Sequence, residues 1–169
     1  MKMSDERVIA ADPSVVWAAL LDPEVLKACV PGCQEMTGSP EEGFEATVVQ
    51  KVGPVKATFK GAVTLSEMDE PNSLTLTGEG KGGAAGFAKG SSNVTLTPEG
   101  AGTKIAYEVE ASVGGKLAQL GSRIIDSFAK KMADQFFQRF QAVVEGTDGE
   151  EAVEVSEEKK GWLARLRGK

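Results

Sequence analysis

The stretch from Gly115 to Gly146 constrains the fold most, because it is long and periodic enough to form one helix that carries much of a core. Its apolar residues recur at steps of three and four, which places them on one stripe. The stripe comprises Leu117, Leu120, Ile124, Phe128, Met132, Phe136, Phe140 and Val143. Glycines mark both ends of the predicted helix. Gly121 lies inside it, where a small residue would allow a close approach.

The first thirty residues predict a strand followed by two short helices. Residues 2–9 form the predicted strand. Asp12-Pro13 and Asp22-Pro23 each indicate a helix start, since Asp caps a helix and Pro fits its first turn. The second helix is expected to stop at Val30-Pro31-Gly32.

From Gly43 onward the apolar period changes to two, which is typical of strands with one buried face. Further strands are predicted at 44–48, 55–65, 74–80, 87–97 and 104–113. The whole order predicts an α+β fold: a curved antiparallel sheet of about seven strands wrapped around the long C-terminal helix, with two short helices after the first strand. Bends in the sheet are expected at Gly61, Gly78, Gly80, Gly82, Gly83, Gly86 and Gly90. Such a sheet can leave a cavity against its helix.

Composition restricts the function. The chain has no histidine, which excludes Ser-His-Asp and Cys-His catalysis and His-ligated metals. We therefore expect no catalytic residue and no metal site. The net charge of −6 argues against a nucleic-acid partner. Cys29 and Cys33 are either two small apolar side chains beside a turn or a reversible disulfide.

The last residues divide by charge. Residues 147–158 carry six acids and no base, and predict a disordered linker after a folded domain of residues 1–146. Residues 159–169 carry five bases and no acid, and predict a basic amphipathic tail. Basic charge beside Trp and Leu is typical of an interfacial membrane segment. The predicted membrane-binding residues are Lys159, Lys160, Trp162, Leu163, Arg165, Leu166 and Arg167.

Two alternatives for this tail stay open: a disordered segment that interacts with its own acidic linker, and a docking peptide for a partner protein. No run approaches the ~18 apolar residues of a membrane-spanning helix, and the first residues lack the apolar region of a signal peptide. We expect a cytoplasmic protein that is peripheral on the inner face of the cytoplasmic membrane.

Three motifs together resemble a known family. They are Asp22-Pro-Glu-Val-Leu with Pro31-Gly-Cys, Lys51-Val-Gly-Pro-Val-Lys-Ala-Thr-Phe-Lys-Gly61, and Gly114-Gly-Lys-Leu-Ala-Gln-Leu-Gly-Ser-Arg123. From Glu6 to Gly146 the chain is similar to the CoxG family of carbon monoxide dehydrogenase subunits, within the START-like helix-grip (SRPBCC) superfamily. The resemblance implies a helix-grip fold and a non-catalytic accessory protein of a molybdenum hydroxylase such as aerobic carbon monoxide dehydrogenase, tied to membrane recruitment of that enzyme.

Some members of that family look like carriers of a respiratory quinone, menaquinone or ubiquinone, held in the helix-grip cavity without a covalent bond. An enzyme of the cyclase or dehydratase kind, as found elsewhere in the superfamily, is the alternative. The missing histidine and the absence of evident paired carboxylates disfavour that alternative.

Large apolar residues of the predicted sheet and helix would face one interior, which is either a filled core or a ligand pocket. The predicted ligand-binding residues are Phe59, Phe87, Tyr107, Leu120, Gly121, Ile124, Phe128 and Met132. Tyr107 would donate a hydrogen bond to a ligand carbonyl or to the backbone. Lys51, Lys56 and Lys60 form either a solvated face or a docking strip for an acidic partner.

Overall fold

The computed structural model describes residues 1–146. Its strands are β1 (Lys2–Ile9), β2 (Cys33–Ser39), β3 (Gly43–Val52), β4 (Val55–Asp69), β5 (Ser73–Lys81), β6 (Phe87–Glu99) and β7 (Gly102–Gly114). Its α-helices are α1 (Pro13–Leu20), α2 (Pro23–Cys29) and α3 (Ser122–Glu145), with 3₁₀ turns at Gly83–Ala85 and Gly115–Leu120. All seven strands form one antiparallel sheet in the order β1-β7-β6-β5-β4-β3-β2. The predicted helix-grip architecture is confirmed. The predictions for residues 147–158 and 159–169 lie outside the described residues.

Strand β2 has no sequence signal of the kind that predicted the others. Its residues show no alternation of apolar and polar side chains, and it pairs with β3 alone at the edge of the sheet. Backbone hydrogen bonds and its place beside α2, rather than a buried face, therefore make it a strand.

The long helix begins later than the apolar period predicted. Residues 115–120 form a 3₁₀ turn, and α3 starts at Ser122. Gly121 separates them with φ 87° and ψ 158°, a conformation that is open to glycine and costly for other residues. The close approach predicted at Gly121 is wrong, because a Cβ built there would meet no heavy atom within 4 Å. At the other end Gly146 is left-handed and donates its N–H to the carbonyl of Ala142.

The core surrounds the last turns of α3. Phe140 is fully buried, and its ring stacks on that of Phe136 with centroids 5.7 Å apart. The closed core, as we call it, also contains Ile9, Val16, Trp17, Val25, Leu74, Leu96, Ile105, Val143 and Val144. Burial decreases toward the start of α3, where Met132 and Phe128 are half-buried and Ile124 is 37 % exposed. The sheet, together with α1 and α2, thus covers the second half of α3 more completely than the first.

Antiparallel pairing places the connections at two ends of the sheet. The open end, as we call it, comprises residues 52–55, 81–87 and 114–122, and the closed end comprises 9–12, 39–43, 69–73 and 99–102. The carboxylate of Glu145 accepts the N–H of Ala10 at 2.7 Å. This bond fixes the C-terminus of α3 at the closed end.

Replacing one phenylalanine by alanine in each half of α3 should have unequal effects on stability. Phe140→Ala removes a fully buried ring and should lower the free energy of unfolding by about 3–5 kcal/mol. Phe128→Ala removes a half-buried ring, so the loss should be about 1–2 kcal/mol. Urea unfolding followed by circular dichroism measures both. Equal losses would contradict the uneven grip on α3.

Candidate functional site

Small residues line the inner face of the sheet opposite the first half of α3. Ala46, Gly61, Gly80, Ala88 and Val113 are successive cross-strand partners from β3 to β7. They share the strand face of the buried core residues, because side chains alternate along each strand. We call this row the small-residue floor. The sequence indicated bends at the two glycines, whereas the register makes them neighbours on one inner surface.

Gly80 shows that the floor borders open space. A Cβ built at Gly80 would meet no heavy atom within 4 Å, and one at Gly61 would meet only the carbonyl oxygen of Glu79, at 3.6 Å. Neither residue has the positive φ that requires glycine. A larger side chain would fit there sterically, so the two glycines leave volume above the sheet that the fold itself does not require.

Apolar side chains of α3 and β4 lie on the same side of the sheet as this floor. Helical spacing places Phe128 and Met132 on the same face as Phe136, which packs on the closed core. Phe59 is half-buried on the inner face of β4, and its ring occupies the space that a side chain at residue 82 would need. We call the space between these side chains and the small-residue floor the chamber. Apolar space between a sheet and a helix is a common place for small-molecule binding.

Three predicted site residues lie at the edge of the chamber or outside it. Leu120 and Ile124 contact the β3–β4 turn, where a Cβ at Gly53 would lie 3.9 and 3.4 Å from them; they stand at the mouth of the chamber. Phe87 is 43 % exposed and lies on the outer face, because its neighbour Ala88 takes the inward position in the strand alternation.

Tyr107 belongs to a polar cluster at the β1 edge. Its ring is 6 % exposed and stacks on Phe137 with centroids 5.1 Å apart. The Arg7 guanidinium lies 5.3 Å from the Phe137 centroid, pairs with Asp134 and interacts electrostatically with Tyr107. Arg7 was not among the predicted site residues, although it lies in the inward register of Met3 and Ile9 on β1.

This cluster shifts two pKa values. Burial raises the pKa of Tyr107, and the Arg7 charge only partly opposes that rise. Burial alone would lower the pKa of Arg7, but its interactions with Asp134 and Tyr107 raise it further than burial lowers it. Arg7 therefore stays charged, and Tyr107 stays neutral at physiological pH. The cluster fixes the flank of α3 to β1.

Comparison with known proteins places the chain in a family. The model of the family described as the CoxG subunit of carbon monoxide dehydrogenase matches residues 6–145. The chain belongs to the CoxG family. Membership of the CoxG family indicates an accessory role associated with carbon monoxide dehydrogenase. A comparison with curated proteins found none that matches.

Solved structures share the CoxG chain's fold. A conserved protein from Geobacillus kaustophilus has 26 % identity and a TM-score of 0.81, over 87 % of this chain and 97 % of its own. A protein from Thermus thermophilus has 16 % identity and a TM-score of 0.64, over 86 % and 98 %. Protein CV1439 from Chromobacterium violaceum has 18 % identity and a TM-score of 0.63, over 85 % and 97 %. The last two show the fold alone.

Two carboxylates of this CoxG chain share one cation. Asp5 and Asp134 both pair with Arg7, an arrangement that holds charge rather than transferring protons. No cluster of metal-ligating side chains occurs in residues 1–146. The same residues contain no helix long and apolar enough to cross a membrane.

Neither the two cysteines nor the three lysines named above line the chamber. Cys29 is buried, Cys33 is half-buried, and no disulfide joins them. Burial raises the pKa of Cys33, whose thiol donates to the carbonyl of Glu35 at 3.2 Å; it is therefore a poorer nucleophile than an ordinary thiol at neutral pH. Lys51, Lys56 and Lys60 are all exposed.

Because Tyr107 is the only tyrosine, its titration can be followed by phenolate absorbance. The midpoint in the folded protein should lie above that in urea, since burial raises the folded pKa. The corresponding stability is fully present below the unfolded pKa and is lost as the pH rises through the folded one. Arg7→Gln should move the folded midpoint higher still, because the charge that opposes the shift is gone. Coincident folded and unfolded midpoints would contradict the buried placement.

Proposed function

We propose that the protein is a non-catalytic accessory protein of a molybdenum hydroxylase of the carbon monoxide dehydrogenase type, and that it carries a respiratory quinone, menaquinone or ubiquinone, in the chamber. Two observations support the ligand: the open space at Gly80 on the inner face of the sheet, and the half-buried Phe128 and Met132 on the helix face that also carries Phe136. Family membership supports the partner enzyme.

The walls of the chamber match the chemistry of a quinone. Phe59, Phe128 and Met132 offer aromatic and thioether contacts to a flat ring, and the glycines of the floor let that ring approach the sheet backbone. An isoprenoid tail gains about 25 cal/mol per Å² of apolar surface removed from water. Ser92 places a half-buried hydroxyl on the inner face, between Leu76 and Val109 in register, where it can donate to a quinone carbonyl.

The position of the mouth supports reversible loading. At the mouth of the chamber, Leu120 and Ile124 contact the β3–β4 turn through their side chains. No ladder of backbone hydrogen bonds joins them to that turn. Displacing a turn costs less than separating paired strands, because fewer hydrogen bonds break. A carrier needs such an entrance, since it must release its ligand to a partner.

Filling the chamber from the floor should displace the ligand. Gly80→Leu projects into open space without meeting another atom, so the fold should persist while bound quinone falls severalfold. Thr77→Leu is the matched control, because it adds a similar side chain to the outer face of the same strand. Organic extraction and mass spectrometry of protein purified from quinone-containing cells measures the ligand. Equal quinone content in Gly80→Leu and in the unaltered protein would contradict the chamber.

We further propose that the tail from Lys159 to Lys169 docks the protein to anionic membranes. Basic residues near such a surface contribute roughly 1 kcal/mol each, and Trp162, Leu163 and Leu166 add partial apolar burial. The affinity should be weak and should fall with salt, which screens the charges.

Deleting residues 159–169 should lower co-sedimentation with anionic liposomes severalfold and leave the thermal midpoint and the quinone content unchanged. A second variant separates charge from length: it keeps the apolar side chains and should bind more weakly than the full chain but no more weakly than the deletion. In it, glutamine replaces Lys159, Lys160, Arg165, Arg167 and Lys169. Sedimentation of the deleted protein to the same extent as the full chain would show that the tail is not the anchor.

A further inference from the structure

The charges of the folded domain are sorted between the two ends of the sheet. The connections and strand ends of the closed end carry acids: Asp12, Glu41, Glu42, Asp69, Glu70 and Glu99. Those of the open end carry bases: Lys51, Lys56, Lys81, Lys116 and Arg123. Each set comes from at least three separate connections, so the antiparallel topology brings together charges that are scattered along the sequence.

Four of these bases have no acidic partner in the described part of the chain. Lys81 lies 3.9 Å from Glu79, whereas Lys51, Lys56, Lys116 and Arg123 take part in no ion pair among residues 1–146. Lys51 and Lys56 are direct cross-strand partners, and like charges placed opposite each other destabilise a sheet. This arrangement does not stabilise the fold, which points to an anionic surface outside the chain.

Exposed apolar side chains lie among these bases. Phe87 is 43 % exposed beside Gly114, and Ile124 is 37 % exposed beside the β3–β4 turn. Lys116 follows Gly114 by two residues, and Arg123 precedes Ile124. Large apolar side chains surrounded by unpaired bases are typical of protein surfaces that enter the interface of an anionic bilayer.

We propose that the open end of the folded domain is a docking face for an anionic lipid bilayer. Residues 1–146 carry more acids than bases, so a bilayer repels the domain in most orientations and attracts it with the open end first. That orientation directs the mouth of the chamber, at Leu120 and Ile124, toward the lipid. The inference rests on the proposed carrier function for its purpose but not for its binding test.

Bilayer contact can be mapped with tryptophan and lipids brominated in their acyl chains. In full-length protein with Trp162→Phe, Phe87→Trp places the probe at the open end, and Met68→Trp places it at the closed end, where Met68 is 42 % exposed. Trp17 is buried in both and gives the same background. Vesicles of phosphatidylcholine with phosphatidylglycerol should quench the probe at 87 and not the probe at 68. Equal quenching at both positions, or none at 87, would overturn the proposal.

Charge reversal tests the electrostatic part in the full chain. Lys51→Glu with Lys116→Glu should lower partition onto the anionic vesicles by at least about tenfold, since each base near such a surface contributes roughly fivefold. Lys131→Glu with Arg139→Glu makes the same charge change on the exposed side of α3 and should have a smaller effect. Equal losses in the two double variants would mean that net charge alone matters, and would overturn the docking face.

Quinone content, measured on the same preparations, keeps this proposal distinct from the proposed function. Quenching at 87 in a protein that holds no quinone supports the docking face and contradicts the carrier. Bound quinone without quenching at 87 supports the carrier and contradicts the docking face. Capture of the open end by an acidic protein, with no vesicle quenching, would assign the bases to a protein partner and overturn the lipid assignment.

Discussion

The grip of the sheet on the last two turns of α3 is the contact on which the rest of the structure depends. Phe140 is fully buried there, Phe136 stacks on it, and Val143 and Val144 complete the contact. Helices α1 and α2 add Trp17 and Val25 to the same core. Because this half of the molecule supplies a complete core, the first half of α3 need not be packed tightly for the domain to fold.

The small-residue floor and the chamber above it lower the stability of the fold. Glycine inside a strand is destabilising, and unfilled apolar space forfeits contacts. Gly61 and Gly80 bear both costs, although their backbones do not require glycine. Departures from local stability of this kind concentrate at functional sites, which supports a ligand rather than a loosely packed core as the reason for the small-residue floor.

Charged side chains determine two orientations that apolar packing does not: that of α3 along its flank and that of the whole domain in an electric field. Arg7 connects β1 to α3 through Asp134 while its guanidinium covers the Phe137 ring, so the helix is held along one flank as well as at its C-terminus. Charge is also sorted along the sheet, with acids at the closed end and bases at the open end. The two patterns act at different ranges: the first orients one side chain, and the second orients the whole domain in an external field.

The architecture could be predicted from the sequence because periodicity and turn residues are local properties, and tertiary structure alone decided which residues share a surface. The α3 stripe, the Asp-Pro helix starts and the alternating strands are each visible within about ten residues. Alternation placed Phe59 correctly on the inner face, but it was wrong by one position at Phe87. The pairing of Gly61 with Gly80 and the gathering of bases from three connections join residues far apart in the chain. Local sequence determines periodicity, whereas sheet register and the path of the chain between elements are set by long-range packing.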